Sequence, residues 1–260
     1  MGIIGGKLAV DVLNYASRGG TVSAFPDIAT AYTKTSKLEA LFGPGIWNEI
    51  RDKEVLDFGC GPGTEAVEVA ERGARRVIGL ELYEKWIRAG AALASARGVS
   101  DRCCFCRTWD TPIDVILSID SFEHFADPAA VLRTMRSLLK PTGSVWMSFG
   151  PTWYHPLGGH IFSVFPYAHL LFSEAALVRW RSLYKSDGAA TIEESGLNRM
   201  TVRRFEKLIA ASPFRFAQFQ AVPIRRLAPL ANRLTREFTT AVVRCRLAPR
   251  DAESRTTATA

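Results

Sequence analysis

The stretch EVLDFGCGPGTEA, residues 54–66, decides how this chain folds. Its apolar first half carries one acidic residue, Asp57, and its second half holds Gly59, Gly61 and Gly63, each separated by one residue. An apolar run that breaks into glycines predicts a short buried strand that turns sharply towards the next element. Glycines at such a turn also let a ligand approach the backbone closely. The segment therefore predicts a ligand-binding loop at the end of a strand.

The residues around the loop indicate the kind of ligand. A dinucleotide-binding motif has its third glycine where this chain has Thr64, and no Gly-Lys-Ser/Thr sequence follows, as it does in a phosphate-binding loop. The acidic Asp57 is unfavourable beside a pyrophosphate. Glu81 ends the next predicted strand, 18 residues after Gly63, where an acid accepts hydrogen bonds from ribose hydroxyls. The pattern predicts an adenosine ligand that lacks phosphates and carries positive charge.

Strand and helix patterns alternate around this loop. Apolar runs that predict strands lie at residues 55–58, 77–80, 103–106, 115–118 and 144–149. The clearest helix begins at Pro128, with Asp127 as its N-cap, and strands joined by helices pair in parallel. Two later runs, 214–222 and 238–247, need no long helix between them and can pair antiparallel. The prediction is an α/β fold with a doubly wound, Rossmann-like, seven-stranded sheet, mostly parallel with an antiparallel C-terminal strand.

Length and composition predict a single domain. The chain has 260 residues, of which 47% are hydrophobic and 23% charged, as in an ordinary globular protein. We expect one domain over residues 1–250 and a disordered tail over 251–260. The parts expected within the domain are an N-terminal helical lid (1–50), a cofactor-binding core (51–150), a substrate-binding insertion (150–200), and a C-terminal helix with edge strands (201–250).

The sequence carries no signal for secretion or membrane insertion. No segment reaches the ~20 apolar residues of a membrane span, and the N-terminus lacks the basic and apolar regions of a signal peptide. The five cysteines form neither a disulfide framework nor a zinc pattern. We therefore expect a cytoplasmic protein with reduced thiols and no transmembrane segment.

The positive charge of the chain is unevenly distributed. The net charge is +7, and residues 151–250 alone hold 15 Lys and Arg against 6 Asp and Glu. A basic surface attracts anionic partners such as nucleic acids. No RNA-binding module or aromatic-basic repeat accompanies these residues. We therefore expect the arginines to lie on solvated helix faces, and we do not expect a nucleic-acid partner.

Four ordered segments resemble the class I S-adenosylmethionine-dependent methyltransferases, in particular the type 11 and ubiquinone-pathway members. The segments are VLDFGCGPG (55–63), VIGLE (77–81), IDVILSIDSFEHF (113–125) and LLKPTGSVWMSF (138–149). The resemblance implies an enzyme whose cofactor is S-adenosylmethionine. The residues that it implies for cofactor binding are Asp57, Gly59, Gly61, Gly63, Glu81, Trp109 and Asp110. Tyr32, in the expected lid, would cover the cofactor.

The segment DSFEHF after the fourth predicted strand supplies the catalytic candidates. Asp120, Glu123 and His124 are spaced i, i+3 and i+4, so one helical turn would gather them on one face. Methyl transfer to oxygen usually requires that the nucleophile lose a proton. We expect His124 to act as the base and Glu123 to orient it.

Two other interpretations of DSFEHF stay open. Its acid-x-x-Glu-His pattern is similar to the E-x-x-E-H of ubiquinone-pathway and small-RNA 2′-O-methyltransferases, where the motif binds a divalent metal. Here Asp120 replaces the first Glu. A distal metal ligand would come from His155, His160 or His169, of which His169 is best placed. Alternatively, Asp120 and Glu123 only cap a turn.

The methyl acceptor must be inferred from residues 150–185, where aromatic residues, glycines and histidines concentrate. An apolar pocket suits a lipid, polyketide or quinone-like ring, although the aromatic residues would equally suit a core. We expect methyl transfer to a small-molecule, lipid or glycan acceptor, at oxygen. An RNA methyltransferase and a non-catalytic S-adenosylmethionine-binding protein are the alternatives, because a fold does not fix a function.

Overall fold

The computed structural model describes residues 2–17 and 36–250. One sheet of seven strands, in the order β3-β2-β1-β4-β5-β7-β6, runs through this part of the chain. The strands are β1 (Glu54–Phe58), β2 (Arg76–Leu80), β3 (Cys103–Cys106), β4 (Ile113–Ile119), β5 (Leu139–Phe149), β6 (Phe214–Pro223) and β7 (Thr240–Pro249). Strands β1 to β5 pair in parallel, whereas β7 is antiparallel to both β5 and β6. The predicted sheet is confirmed. Tyr32 and the tail 251–260 lie outside the described residues.

Helices cover both faces of the sheet. They are α1 (Gly6–Ser17), α2 (Lys37–Phe42), α3 (Ile46–Ile50), α4 (Thr64–Glu71), α5 (Glu84–Ala96), α6 (Pro128–Leu138), α7 (Ala168–Leu171), α8 (Glu174–Arg181), α9 (Val202–Ala211) and α10 (Arg236–Thr239). The predicted start of α6 is confirmed, because the Asp127 side chain accepts the Ala130 N–H at 2.9 Å. Within residues 2–17 and 36–250, no helix has the length and apolar character needed to cross a membrane.

Three apolar clusters hold these elements together. One includes Phe122, Phe149 and Phe205 and lies on the sheet face that α6 and α9 cover. The second lies on the opposite face, beneath α2 to α5, because successive strand residues such as Val55 and Leu56 alternate between the two clusters. The third cluster joins α1 to α8 and to the connection that follows β5. Helix α1 therefore packs on the expected substrate-binding insertion, whereas α2 and α3 pack on the sheet.

The ring of Phe105 on β3 fills the space that three glycines leave open. A Cβ atom added to Gly63, Gly79 or Gly90 would lie 2.4, 2.3 or 2.5 Å, respectively, from a carbon of this ring. These glycines belong to the start of α4, to β2 and to α5. Their missing side chains let both helices approach the sheet closely, at the strand ends that carry the glycine loop.

This packing predicts that Gly79→Ala destabilises the protein. The added methyl group would displace the Phe105 ring, which is also wedged against Gly63 and Gly90, and overpacking of this kind costs about 1–3 kcal/mol. Urea unfolding would measure the change in the free energy of unfolding. Gly45→Ala is the matched control, because its φ is −63° and nothing lies within 4 Å of an added Cβ. Equal stability of the two variants would contradict the proposed packing constraint.

Candidate active site

One of the three glycines of the loop has open space beside it. Gly59, Gly61 and Gly63 have φ values of +80°, +52° and +82°, in the left-handed region that strains other residues. A Cβ atom on Gly59 would lie 3.0 Å from the Cβ of Ser121, and one on Gly63 would meet Phe105. A Cβ atom on Gly61 would meet nothing within 4 Å. Gly59 and Gly63 therefore serve close packing, and Gly61 faces open space.

The carboxylate of Glu81 fastens this loop to the end of β2. Its Oε2 accepts the Gly61 N–H at 2.9 Å, and its Oε1 accepts the N–H groups of Leu82 and Tyr83 at 2.7 and 3.0 Å. A carboxylate has about four acceptor positions, so capacity for another donor remains on this half-buried side chain. Glu81 lies directly beside Gly61, and its role in ribose binding stays a prediction.

Asp57 is a buried acid with one unsatisfied oxygen. Its side chain lies inside the fold, at 2% exposure, and Oδ2 has no hydrogen-bond partner among the described residues. Burial, reinforced by the charge of Glu65, raises the pKa of Asp57 to about 8. A buried polar group without a partner is costly. A ligand with positive charge would offset that cost.

Lys37, at the start of α2, is a residue of this site that the sequence did not indicate. Its Nζ lies 2.6 Å from Oδ2 of Asp120 and 3.5 Å from Oε1 of Glu65. Burial acts to lower the pKa of Lys37, but these two carboxylates outweigh it and raise the pKa. Its partners come from α4 and from the end of β4, so no local pattern marks it. Asp120 itself has a φ of +47°.

Trp109 and Asp110, the residues expected beside adenine, have local partners. The Trp109 indole N–H donates to the carbonyl oxygen of Thr111 at 2.7 Å, and the guanidinium of Arg76 lies 4.8 Å from the indole ring. Asp110 accepts from the Thr111 hydroxyl at 3.2 Å. In the part of the chain described, no hydrogen bond joins either residue to Gly61 or Glu81. Their assignment to the cofactor stays a prediction.

Glu123 and His124 bind different partners. The Glu123 carboxylate accepts the Gly150 N–H at 3.2 Å, and burial, then Asp120, raises its pKa to about 8. Nδ1 of His124 lies 2.7 Å from the carbonyl oxygen of Gly196. A carbonyl can only accept, so Nδ1 carries a proton, and in the neutral tautomer with this contact the lone pair lies on Nε2. The expected support of His124 by Glu123 therefore does not occur through a direct hydrogen bond.

His160, from the connection after β5, packs against His124. The two ring centroids are 5.3 Å apart, with the ring planes at 85°. His160 has a φ of +51°, and its Nε2 is buried without a partner among the described residues. Burial, and then His124, lowers the pKa of His160 to about 4, so the ring is neutral at neutral pH. The fold thus brings together two imidazoles that lie 36 residues apart in the sequence.

His169, the histidine best placed for a distal metal ligand on sequence grounds, is instead a structural residue. It is 1% exposed, its Nε2 lies 2.7 Å from the Trp153 carbonyl oxygen, and its Nδ1 lies 2.9 Å from the Ser163 hydroxyl. Both ring nitrogens are therefore occupied. Across residues 2–17 and 36–250, no group of three or more His, Cys, Asp or Glu side chains is arranged to hold a metal ion.

Comparison with known proteins assigns a family to this geometry. Residues 32–180 match the family model of a methyltransferase domain. The chain is 36% identical over 107 residues to the ubiquinone biosynthesis O-methyltransferase of Neisseria meningitidis serogroup C, a match over 38% of this chain and 45% of that protein. It is 40% identical over 103 residues to the tRNA 5-carboxymethoxyuridine methyltransferase of Escherichia coli K12, a match over 36% of this chain and 39% of that protein. The chain thus spans less than half the length of these curated relatives.

Solved structures share the fold. An S-adenosylmethionine-dependent methyltransferase from Mesorhizobium loti superimposes with a TM-score of 0.51 and 17% identity, over 76% of this chain and 92% of that one. The cyclase SpnF gives a TM-score of 0.52 and 16% identity, over 79% of each chain. At these identities the likeness is one of fold alone.

The open side of Gly61 predicts that Gly61→Val blocks cofactor binding. The added side chain would project into the space beside Glu81, so the affinity for S-adenosylmethionine, measured by calorimetry, should fall at least about tenfold, or about 1.4 kcal/mol. A left-handed backbone also costs a substituted residue about 1–2 kcal/mol of stability. Gly98→Val controls for that cost, because Gly98 has a φ of +68° and open space at its Cβ. Unchanged affinity in Gly61→Val would place the cofactor elsewhere.

Proposed function

The chain belongs to the class I S-adenosylmethionine-dependent methyltransferases, and we propose that it transfers a methyl group to an oxygen atom of a small-molecule, lipid-like or glycan acceptor. The observation that carries the proposal is the group of acidic residues, Asp57, Glu81 and Asp120, at the ends of β1, β2 and β4. This arrangement combines the open face of Gly61 with the unpaired carboxyl oxygen of Asp57.

The residues at these strand ends fit a cationic cofactor. Gly61 offers room at the backbone, Glu81 retains acceptor capacity beside it, and a positively charged ligand would stabilise the ionised form of Asp57. When bound, S-adenosylmethionine supplies an electrophilic methyl group on a positively charged sulfur. The side chains of Glu65 and Asp120 add negative charge, which Lys37 only partly neutralises. These residues would therefore bind and orient the cofactor rather than react with it.

His124 is the residue that we propose as the base. Its Nδ1 proton is held by the Gly196 carbonyl, so Nε2 is free to take a proton from the acceptor hydroxyl. The side chain is exposed, so an acceptor can reach it. Such a base contributes about 10²–10⁴ in rate when its geometry is right.

Glu123 and His160 would act by holding His124 in position. The buried carboxyl group of Glu123 ties the end of β4 to Gly150 at the end of β5, which fixes the segment that presents His124. The neutral ring of His160 packs edge-on against His124 and restricts its rotation. Gly159, which directly precedes His160, supports the position of His160. Its N–H donates to the hydroxyl of Ser163, which also contacts Nδ1 of His169.

A nucleic-acid acceptor is the second candidate. It is favoured by the basic composition of residues 151–250 and by the tRNA methyltransferase among the relatives. Several of these arginines are already paired within the protein, including Arg199 with Glu174 at 2.6 Å and Arg246 with Glu49 at 3.0 Å. A salt-sensitive shift of tRNA in a gel would favour this candidate, and a methyl-sized mass loss in metabolites of a deletion strain would favour a small molecule.

Once the metabolites of the deletion strain have identified an acceptor, we expect His124→Ala to lower turnover by about 10²–10⁴. The affinity of this variant for S-adenosylmethionine should be unchanged. His160→Phe keeps an aromatic ring against His124 and should retain more activity than His160→Ala. His155→Ala is the matched control, because the Nδ1 of His155 accepts the Leu157 N–H within its own turn. Full turnover in His124→Ala would contradict the base. Loss of activity on chelation, restored by magnesium, would support a metal instead.

A further inference from the structure

The connection between β6 and β7 projects apolar side chains into solvent. We call residues 224–239 the β6–β7 loop; the hydrogen bond from the Ile224 N–H to the Thr239 carbonyl closes it at 2.7 Å. Leu230, Leu234 and Phe238 are 62%, 83% and 49% exposed. Large exposed apolar groups of this kind, gathered in one short segment, indicate a binding surface.

The shape of this loop is fixed by its own hydrogen bonds. Oδ1 of Asn232 accepts the N–H groups of Leu234 and Thr235 at 2.8 and 3.2 Å. The Thr235 hydroxyl donates to the Leu230 carbonyl at 2.6 Å. This hydrogen-bonded turn therefore holds the Leu234 side chain in an exposed position.

The exposed charged side chains of the loop are all arginines. Arg225, Arg226 and Arg233 are exposed, and none of them has an ion pair or hydrogen bond with another residue of the described chain. The single acid of the loop, Glu237, is buried, where it accepts the Val202 and Arg203 N–H groups at 3.1 and 2.7 Å. The loop therefore presents unpaired positive charge beside exposed apolar side chains.

An open pocket of about 520 Å³ lies beside the loop. The polar side chains of Arg233, Arg236, Asn232 and Thr239 contribute to its lining together with the acidic Glu206. The guanidinium of Arg236 contacts Glu206 at 2.8 and 2.5 Å through its terminal nitrogens, but its buried Nε has no partner among the described residues. Glu206 thus already neutralises Arg236, and Arg233 is the cation at this pocket that has no ion pair within the described residues.

We propose that the β6–β7 loop docks onto a lipid surface that carries anionic headgroups. Arginines would contact the headgroups, and Leu230, Leu234 and Phe238 would enter the acyl boundary, as in peripheral membrane contacts. A nucleic acid would use the arginines but leave the leucines in water. Phe238 also packs on Tyr154 of the expected substrate-binding insertion, with ring centroids 5.2 Å apart. Docking here would bring that insertion close to the lipid surface. Membrane docking is a property additional to the proposed methyl transfer.

Co-sedimentation of the full chain with phosphatidylcholine vesicles, with and without phosphatidylglycerol, tests this proposal without any methyl acceptor. We expect binding only to the anionic vesicles, and weaker binding as salt rises. Leu234→Ser and the double variant Arg225→Glu/Arg226→Glu should each lower the vesicle affinity roughly tenfold or more. Thermal melting would check that the variants, altered only at exposed positions, remain folded.

Two variants control for loss of exposed apolar surface and of exposed charge. Leu183→Ser alters a leucine that is 57% exposed, and Arg133→Glu alters an arginine on α6 whose side chain is 67% exposed. Both should bind the anionic vesicles as the unaltered protein does. Equal binding to both vesicle types, no binding to either, or unchanged binding by Leu234→Ser would overturn the proposal. Retention of tRNA without vesicle binding would also overturn it and assign the arginines to a nucleic acid.

Discussion

The hydrogen bonds between the Glu81 carboxylate and three backbone N–H groups are the constraint on which the candidate site depends. One carboxylate holds Gly61 of the loop after β1 and the start of α5 after β2. Charge-assisted bonds of this kind are stronger than neutral ones. They keep the open side of Gly61 next to an acid that retains acceptor capacity. The Phe105 ring packs against the same region, because it occupies the space that side chains on Gly63, Gly79 and Gly90 would fill.

The buried acids near the ends of β1 and β4 favour a cationic ligand. Asp57 and Glu123 are buried, each has an unsatisfied carboxyl oxygen, and burial raises the pKa of both to about 8. A carboxyl group whose pKa is raised on folding destabilises the fold as the pH rises from its ordinary range through that value. The cofactor-free protein therefore carries an unfavourable interaction at Asp57 that a bound cation would relieve. Stability is often sacrificed at functional sites in this way.

Features encoded by neighbouring residues could be predicted from the sequence. The seven strands, the Asp127 cap and the position of Glu81 follow from apolar runs, glycines and caps within a few residues of each other. Features that depend on distant contacts could not. The ion pair of Lys37 with Asp120 and the pairing of Glu123 with Gly150 join separate elements, and the burial of His169 depends on Trp153 and Ser163. The spacing of the acids and the histidine in DSFEHF indicated the candidate catalytic residues, but it could not predict which groups they contact in the fold.

Calorimetric titration with S-adenosylmethionine in buffers of different ionisation enthalpy tests the central claim most directly. Asp57 holds its proton at about pH 7, because its pKa is raised to about 8. A cation bound beside it lowers that pKa, so binding should release protons, and affinity should rise between about pH 6 and about pH 8. The Asp57→Asn variant should release fewer protons. Absence of binding, or the same number of protons released by both proteins, would contradict a cationic cofactor held at Asp57.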